Sequence, residues 1–251
     1  MLTDKEVARV EEVLGYRFKN PTLLRQAFTR RSYTVEYEAQ KKRPAPLECN
    51  EVLELIGDSV LSTSLLAILS ARHGKVTGRG YESDFGEGVF TDIKANLCDK
   101  AALSKIIDGL KTEDGVRFAT LMDVSKGDRN NGVVESASPK EDLFESILGA
   151  VALDCGMDFS VIVPIVAKLD DPERLTTHAA DRDAKSILKE YCEKERFSLD
   201  FPLLEKIGPD NAPTYTVGCR VNGEVRGTGT AGNRKAAEQE AAKIALAVLF
   251  R

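Results

Sequence analysis

The chain is poor in the residues on which much metal and nucleophile chemistry depends. It has two histidines, His73 and His178, and five cysteines, Cys49, Cys98, Cys155, Cys192 and Cys219. No CxxC pair occurs among them, which disfavours both a Cys/His zinc site and a disulfide framework, and the scattered thiols fit a reducing cytoplasm. Neither histidine lies in a recognisable motif, so chemistry is left to carboxylates, to a metal, or to nothing at all. The N-terminus, MLTDKEVARVEE, lacks the basic-then-apolar order of a signal peptide. No run approaches the roughly 20 apolar residues that a membrane span requires. A basic surplus is also missing. The formal net charge is −5, so bulk charge alone will not draw this chain onto an anionic polymer.

What is present suits an ordinary folded protein. A length of 251 residues with 42% hydrophobic and 30% charged residues suggests two domains with a normal core. The charge is divided unevenly between them. Residues 181–251 carry 12 Lys and Arg against 11 Asp and Glu, which leaves residues 1–180 with 23 against 29. An anionic partner must therefore be gripped by local patches.

Residues 3–160 read as successive helices, because apolar residues recur at three- and four-residue spacings. Val7, Val10, Val13 and Leu14 form one stripe, and Asn20-Pro21 signals the start of a second helix. The polar stretch 34–50, with two prolines, reads as a loop before a long apolar helix from about 51 to 69. The Gly-rich HGKVTGRGYESDFGEG (73–88) interrupts the pattern, helix resumes over 91–107, and a polar loop at 126–139 precedes a helix at 139–154. Apolar periodicity is lost in DDPERLTTHAADRD, which gives a helical domain over 1–170, a linker over 171–182 and a second domain over 183–251. The last segment reads as helix (184–194), strands near 202–207, 214–221 and 224–230, then helix (234–250). The fold class is mainly α, with a small α-β-β-β-α domain at the C-terminus.

The most informative stretch is NEVLELIGDSVL (50–61). At 100° per residue Glu51, Glu54 and Asp58 share one stripe, with Leu53, Ile56 and Val60 on the far side. Like charges at these spacings repel one another, and more strongly in a cleft that removes water, so a positive partner is expected among them. In SPKEDLFESILGA (138–150), Ser138, Pro139 and Glu141 form the pattern of a capping box, and Asp142 and Glu145 follow on one face. Five acids without histidine or cysteine make an all-oxygen donor set suited to Mg²⁺, with Mn²⁺ able to substitute. Such sites hydrolyse phosphodiesters by activating water and neutralising the leaving oxygen. Either cluster alone could equally be a solvated helix face. The two together, with Gly57 between acids and no basic residue four positions after Glu54 or Asp58, favour a metal site.

NEVLELIGD and DLFESILGAVALD resemble the two acidic signatures of the ribonuclease III family, and LGYRFKNPTLLRQAFTRRSY (14–33) and EGVFTDIKANL (87–97) resemble further landmarks in the same order. The resemblance implies that Glu54, Asp58, Asp142 and Glu145 form the catalytic metal-binding set, with Glu51 and Glu87 as supporting acids. It also implies a Mg²⁺-dependent endoribonuclease that cuts both strands of double-stranded RNA to 5′-phosphate and 3′-hydroxyl ends in rRNA and mRNA processing, acting as a cytoplasmic homodimer. The sequence adds a motive for pairing, since Leu53, Val60, Leu61, Leu65, Leu66, Ile68 and Leu69 make one helix apolar over more than one face. The chain departs from the family pattern at Arg30, where histidine is usual, at Val52, where arginine is usual, and in the length of 34–50.

In the C-terminal part GTGTAG (227–232) matches a dinucleotide fingerprint, yet only 19 residues follow, too few for the second parallel strand that a nucleotide cofactor site needs. Read instead as the approach to a helix whose first turn holds Arg234 and Lys235, it suits phosphate binding. DAKSILKEY (183–191), GPDNAPTYTV (208–217) and GTGTAGNRKAAEQEAA (227–242) resemble a double-stranded RNA-binding domain. By position that implies contacts from Ser186 and Glu190 on the first helix, from Asp210 and Asn211 in a loop, and from Arg234, Lys235 and Lys243 on the last helix. Asn211 stands where histidine is usual and Lys189 where glutamine is. Two other readings remain open: a protein that holds duplex RNA without cutting it, and a helical di-iron carboxylate protein. The second would need Glu-x-x-His pairs, and Glu51, Glu54 and Glu145 have no histidine three residues on.

Overall fold

The structure, a computed structural model, describes residues 1–83, 86–169, 184–209 and 213–249. These fall into two compact units, one built from 1–72 and 94–172, the other from 73–93 and 173–251. The linker expected at 171–182, the pair Asp170-Asp171 and His178 lie outside the described residues. The second unit contains more than the C-terminal segment, because residues 73–93 group with it.

The first unit is helical: α1 (Asp4–Leu14), α2 (Pro21–Ala27), α3 (Arg31–Lys41), α4 (Glu51–Arg72), α6 (Lys100–Gly109), α7 (Lys126–Asn130), α8 (Ala137–Cys155) and α9 (Phe159–Leu169). Local chemistry sets several boundaries. Thr3 and Glu6 form a capping box at α1, and the Asn20 side chain accepts from Thr22 N–H in front of Pro21. Helix α3 runs to Lys41, so only residues 42–50 of the expected 34–50 loop are irregular. Polar composition misled there: α3 buries Thr34 alone and shows almost no apolar stripe. The single helix expected over 91–107 is two, α5 (Glu87–Leu97) and α6, separated where Asp99 caps α6 by accepting from Ala101 N–H. The polar loop at 126–139 contains α7 and a short 3₁₀ turn.

Helix α8 is the axis of this unit. It buries an unbroken run from Leu143 to Ala152, which is why its sequence is apolar almost all round. Helices α2, α4 and α6 pack against it, and α4 also meets α9. Two glycines let α4 and α8 touch along their backbones: a Cβ on Gly57 would run into the Glu145 carbonyl, and one on Gly149 into the Leu53 carbonyl. Although no uninterrupted apolar run approaches roughly 20 residues, the 22-residue α4 is long and apolar enough by length and composition to cross a membrane. Its apolar surface is used internally instead. Of the seven apolar residues singled out on it, six are buried within the unit, and Leu66 stays exposed together with Val52 and Leu55.

The second unit carries a hairpin, β1 (Gly74–Thr77) with β2 (Gly80–Ser83), and the start of α5. It continues with α10 (Ala184–Glu195), β3 (Leu199–Asp200), β4 (Leu203–Ile207), β5 (Thr214–Val221), β6 (Glu224–Ala231) and α11 (Arg234–Leu249). Strand β5 is central and antiparallel to its neighbours, with β6 along one edge and β3 and β4 along the other. The core joins Leu188 and Cys192 of α10, Cys219 and Val221 of β5, and Ala241, Ala242 and Ala245 of α11. Most of GTGTAG is strand rather than loop. A Cβ on Gly227 or Gly229 would strike the α11 backbone, so these glycines serve helix–sheet packing.

Candidate functional site

The first unit assembles its acidic site from three places in the sequence. Buried Asn50 ties the head of α4 to the end of α2: its N–H donates to the Thr29 carbonyl at 2.9 Å, its side-chain amide to Ala27 at 3.4 Å, and its own carbonyl accepts from Glu54 N–H at 2.9 Å. Arg30 follows Thr29 directly. On the other side, α8 is locked to α4 by the paired glycines, which set Glu145 beside Gly57, one residue before Asp58. Buried Ser146 donates to the Asp142 carbonyl at 2.6 Å and bonds to the Asn50 carbonyl at 3.5 Å, linking the two helices again.

Electrostatics report the convergence. Glu145 is 8% exposed, and burial first, then Asp58, Glu141, Glu54 and Asp142, push its carboxyl up to about 8. Glu54 is half-buried and also raised, by burial and then by Asp142, with Arg30 opposing. Cys98, beside Ser62, is raised to about 11, mainly by burial with Asp58 and Glu145 adding to it. Asp58 is exposed. Asp142 is held by Arg30 at 2.7 Å. Glu51 lies at the exposed edge against Arg31 at 3.4 Å, a contact worth little in water.

The four acids occupy one region without forming a closed shell. Among the described residues no three donor side chains stand close enough to hold an ion without moving. Carboxylates facing one another repel and are expected to stay apart where no ion bridges them. The donor chemistry nevertheless fits a hard divalent ion: all ligands are oxygen, and the strongest charges around buried Glu145 are other carboxylates. Glu87 opens α5, exposed, in the second unit, while the acid cluster lies wholly in the first.

One expectation about the α8 motif changes. No capping box forms, because the helix starts at Ala137 behind Ser136, and Glu141 and Ser138 both engage Lys100, at 3.1 and 3.3 Å. Lys140 turns away from the acids toward Asp108 at 2.7 Å. Sequence reading placed Arg30 only as a departure from a pattern. Its membership of the site carried no local signal, since 112 residues separate it from Asp142.

The titration has a consequence for stability. A carboxyl that ionises near 8 in the folded chain and near 4.5 in the unfolded chain keeps its proton in the native state over that interval. The unfolded state then binds fewer protons, so stability falls as pH rises from about 4.5 to about 8. Thermal melts in EDTA should show this decline, and Glu145→Gln should flatten it. An equally steep decline in that variant would mean that Glu145 is not its source.

In the second unit Arg234 and Lys235 are exposed on the first turn of α11, which Asn233 caps by accepting from Ala236 N–H at 2.9 Å. Glu238, set low by its hydrogen bonds to Lys185 and Arg234 against the effect of burial, holds Arg234 at 2.9 Å and Lys185 at 2.6 Å, and so joins α11 to α10. Ser186 and Lys243 are exposed on α10 and α11. Glu190 lies against the start of α5, where a Cβ on Gly86 or Gly88 would approach its carboxylate to 3.0 or 2.9 Å. Asp210 and Asn211 lie outside the described residues.

Comparison with known proteins adds an independent line. Residues 20–163 match a family model described as Ribonuclease-III-like, and residues 184–249 one described as Double-stranded RNA binding motif. A Ribonuclease 3 of Cupriavidus taiwanensis is 33% identical over 241 residues, covering 94% of this chain and 83% of its own. One from Streptomyces coelicolor is 32% identical over 238 residues, covering 94% and 77%. Among solved structures, the nuclease domain of ribonuclease III from Campylobacter jejuni is similar with a TM-score of 0.51 at 25% identity, over 67% of this chain and 97% of that domain.

Proposed function

The chain belongs to the ribonuclease III family and is an endoribonuclease with a double-stranded RNA-binding domain, and from that premise we propose that Glu54, Asp58, Asp142 and Glu145 hold Mg²⁺ or Mn²⁺ and cut both strands of duplex RNA, leaving 5′-phosphate and 3′-hydroxyl ends. One observation carries the reading: Glu145 is buried at the contact of α4 and α8 with other carboxylates as its strongest charged neighbours. Unpaired buried negative charge is costly, and a divalent ion is the partner that an all-oxygen set recruits. When bound, such an ion polarises the scissile phosphate and activates water. The chain's own part is positioning. The glycine contact fixes α8 against α4, Asn50 and Ser146 fix the head of α4, and exclusion of water around Glu145 strengthens every charge interaction there. Glu51 and Glu87 are proposed as supporting acids.

Recognition falls to the second unit, with Arg234, Lys235 and Lys243 against phosphates and Ser186, Glu190, Asp210 and Asn211 toward the minor groove. Arg234→Ala combined with Lys235→Ala should weaken duplex binding and lower the slope of log affinity against log salt by about 1 to 2. An unchanged slope removes both residues from phosphate contact. A homodimer is proposed as the working form, supported by Val52, Leu55 and Leu66, which stay exposed at 64%, 69% and 42% and fall within about 60° of one another around α4. A cytoplasmic setting, with rRNA and mRNA precursors as substrates, completes the proposal and agrees with five free thiols.

The direct test is a long perfect RNA duplex incubated with and without Mg²⁺, followed by analysis of product ends. Short fragments with 5′-phosphate and 3′-hydroxyl ends, formed only with the ion, are expected. A duplex that is bound yet intact under both conditions would make the chain a binding protein.

A further inference from the structure

The acid cluster contains a cation of its own. Arg30 donates from Nη1 to Oδ2 of Asp142 at 2.7 Å, and the two side chains are 22% and 17% exposed, so solvent and salt screen this pair less than they screen a surface ion pair. The same guanidinium opposes the repulsion on Glu54. Its backbone is firmly placed: Arg30 N–H donates to the Asp123 carbonyl at 3.0 Å, and the preceding Thr29 accepts from Asn50 N–H at 2.9 Å. Arg30 stands at the N-cap of α3, where a guanidinium, which has donors only, can make no capping hydrogen bond. A second cation, the Lys100 ammonium, pairs with Glu141 at 3.1 Å and also faces Asp142 and Glu145.

Resting on the reading of the four acids as divalent-ion ligands, we propose that Arg30 is the resident counter-ion of the site: it competes with a divalent ion for the Asp142 carboxylate and so sets the ion concentration at which the acids close into a ligand set. Asp142 cannot offer its full charge to an ion while a guanidinium bonds one of its two oxygens. Full ligation by both oxygens then requires the pair to open, and the apparent affinity falls by the fraction of molecules in which it is open. The coupling is reciprocal, so a bound ion loosens Arg30 by the same factor.

The test is a Mn²⁺ titration of the full chain without RNA, following free Mn²⁺ by electron paramagnetic resonance. Arg30→Gln should bind Mn²⁺ about tenfold more tightly than the native chain. Arg30→Lys, which keeps the charge but loses the planar fork, should fall between the two. Lys100→Gln removes an equal charge that also faces Asp142 and Glu145 but, of these acids, bonds only Glu141 and stands half-exposed to solvent, and it should change affinity by less than about twofold. This pattern supports the counter-ion role. Equal Mn²⁺ affinity in the native chain and Arg30→Gln overturns that role and leaves the ligand reading standing. Equal tightening by Arg30→Gln and Lys100→Gln also overturns it, because bulk charge would then be the cause. Failure of the native chain to bind Mn²⁺ overturns the ligand reading and this inference together.

Discussion

On the proposed ligand role, Glu145→Gln is expected to lower the rate of duplex cleavage by about a thousandfold or more, because a metal ligand that stabilises transition-state charge is worth several kcal/mol at 1.36 kcal/mol per decade. The substitution is nearly isosteric and falls in the first unit, whereas the basic turn of α11 belongs to the second, so duplex affinity should hold within about threefold. It also removes a buried carboxyl whose charged form is disfavoured by burial and by Asp58. In EDTA at pH 8 the variant should therefore melt no lower than the native chain, which separates loss of chemistry from loss of fold. Asp58→Asn should lose activity similarly, with a smaller effect on the melt because Asp58 is exposed. Cutting at the native rate by either variant would remove that acid from the metal site.

Gly57→Ala is expected to be the most disruptive single methyl in the first unit. Its Cβ would run into the Glu145 carbonyl, a backbone atom that cannot rotate away, so α4 and α8 must separate. Overpacking of this kind costs about 3 kcal/mol, which for a unit of this size lowers the melting midpoint by roughly 10 °C. Gly149→Ala meets the Leu53 carbonyl and should cost a similar amount. The double variant should lose less than the sum, because helices already forced apart by one methyl make room for the other. Activity should fall in each case, since Glu54 and Asp58 ride on α4 while Asp142 and Glu145 ride on α8. A midpoint unchanged by Gly57→Ala would contradict the close helix contact on which the site's geometry rests.

The acidic residues could be read from sequence because helical spacing is a local property. Glu51, Glu54 and Asp58 share a face in any helix, and α4 supplies one. The small C-terminal domain was equally readable, since turns and alternation mark strands locally, and strands near 202–207, 214–221 and 224–230 occur within a residue or so of those positions. What escaped was set by distant partners. Helix α3 has too weak an apolar stripe to announce itself, and the break before α6 depends on one aspartate cap. Ser138 and Glu141 have the spacing of a capping box, but Lys100 engages both, and tertiary contact overrides the local pattern. The glycines of GTGTAG looked like a phosphate loop because close approach to a helix and close approach to a phosphate ask for the same residue. Arg30 is the clearest case: nothing local marks it, and only the fold brings it to Asp142.

The measurement that bears most directly on the account is anomalous scattering from crystals of the chain grown or soaked in Mn²⁺. A manganese peak liganded by carboxylate oxygens of Glu54, Asp58, Asp142 and Glu145, with Arg30 drawn off Asp142, is the predicted result. A well-ordered map with those side chains still spread apart, or with manganese bound elsewhere, would contradict it.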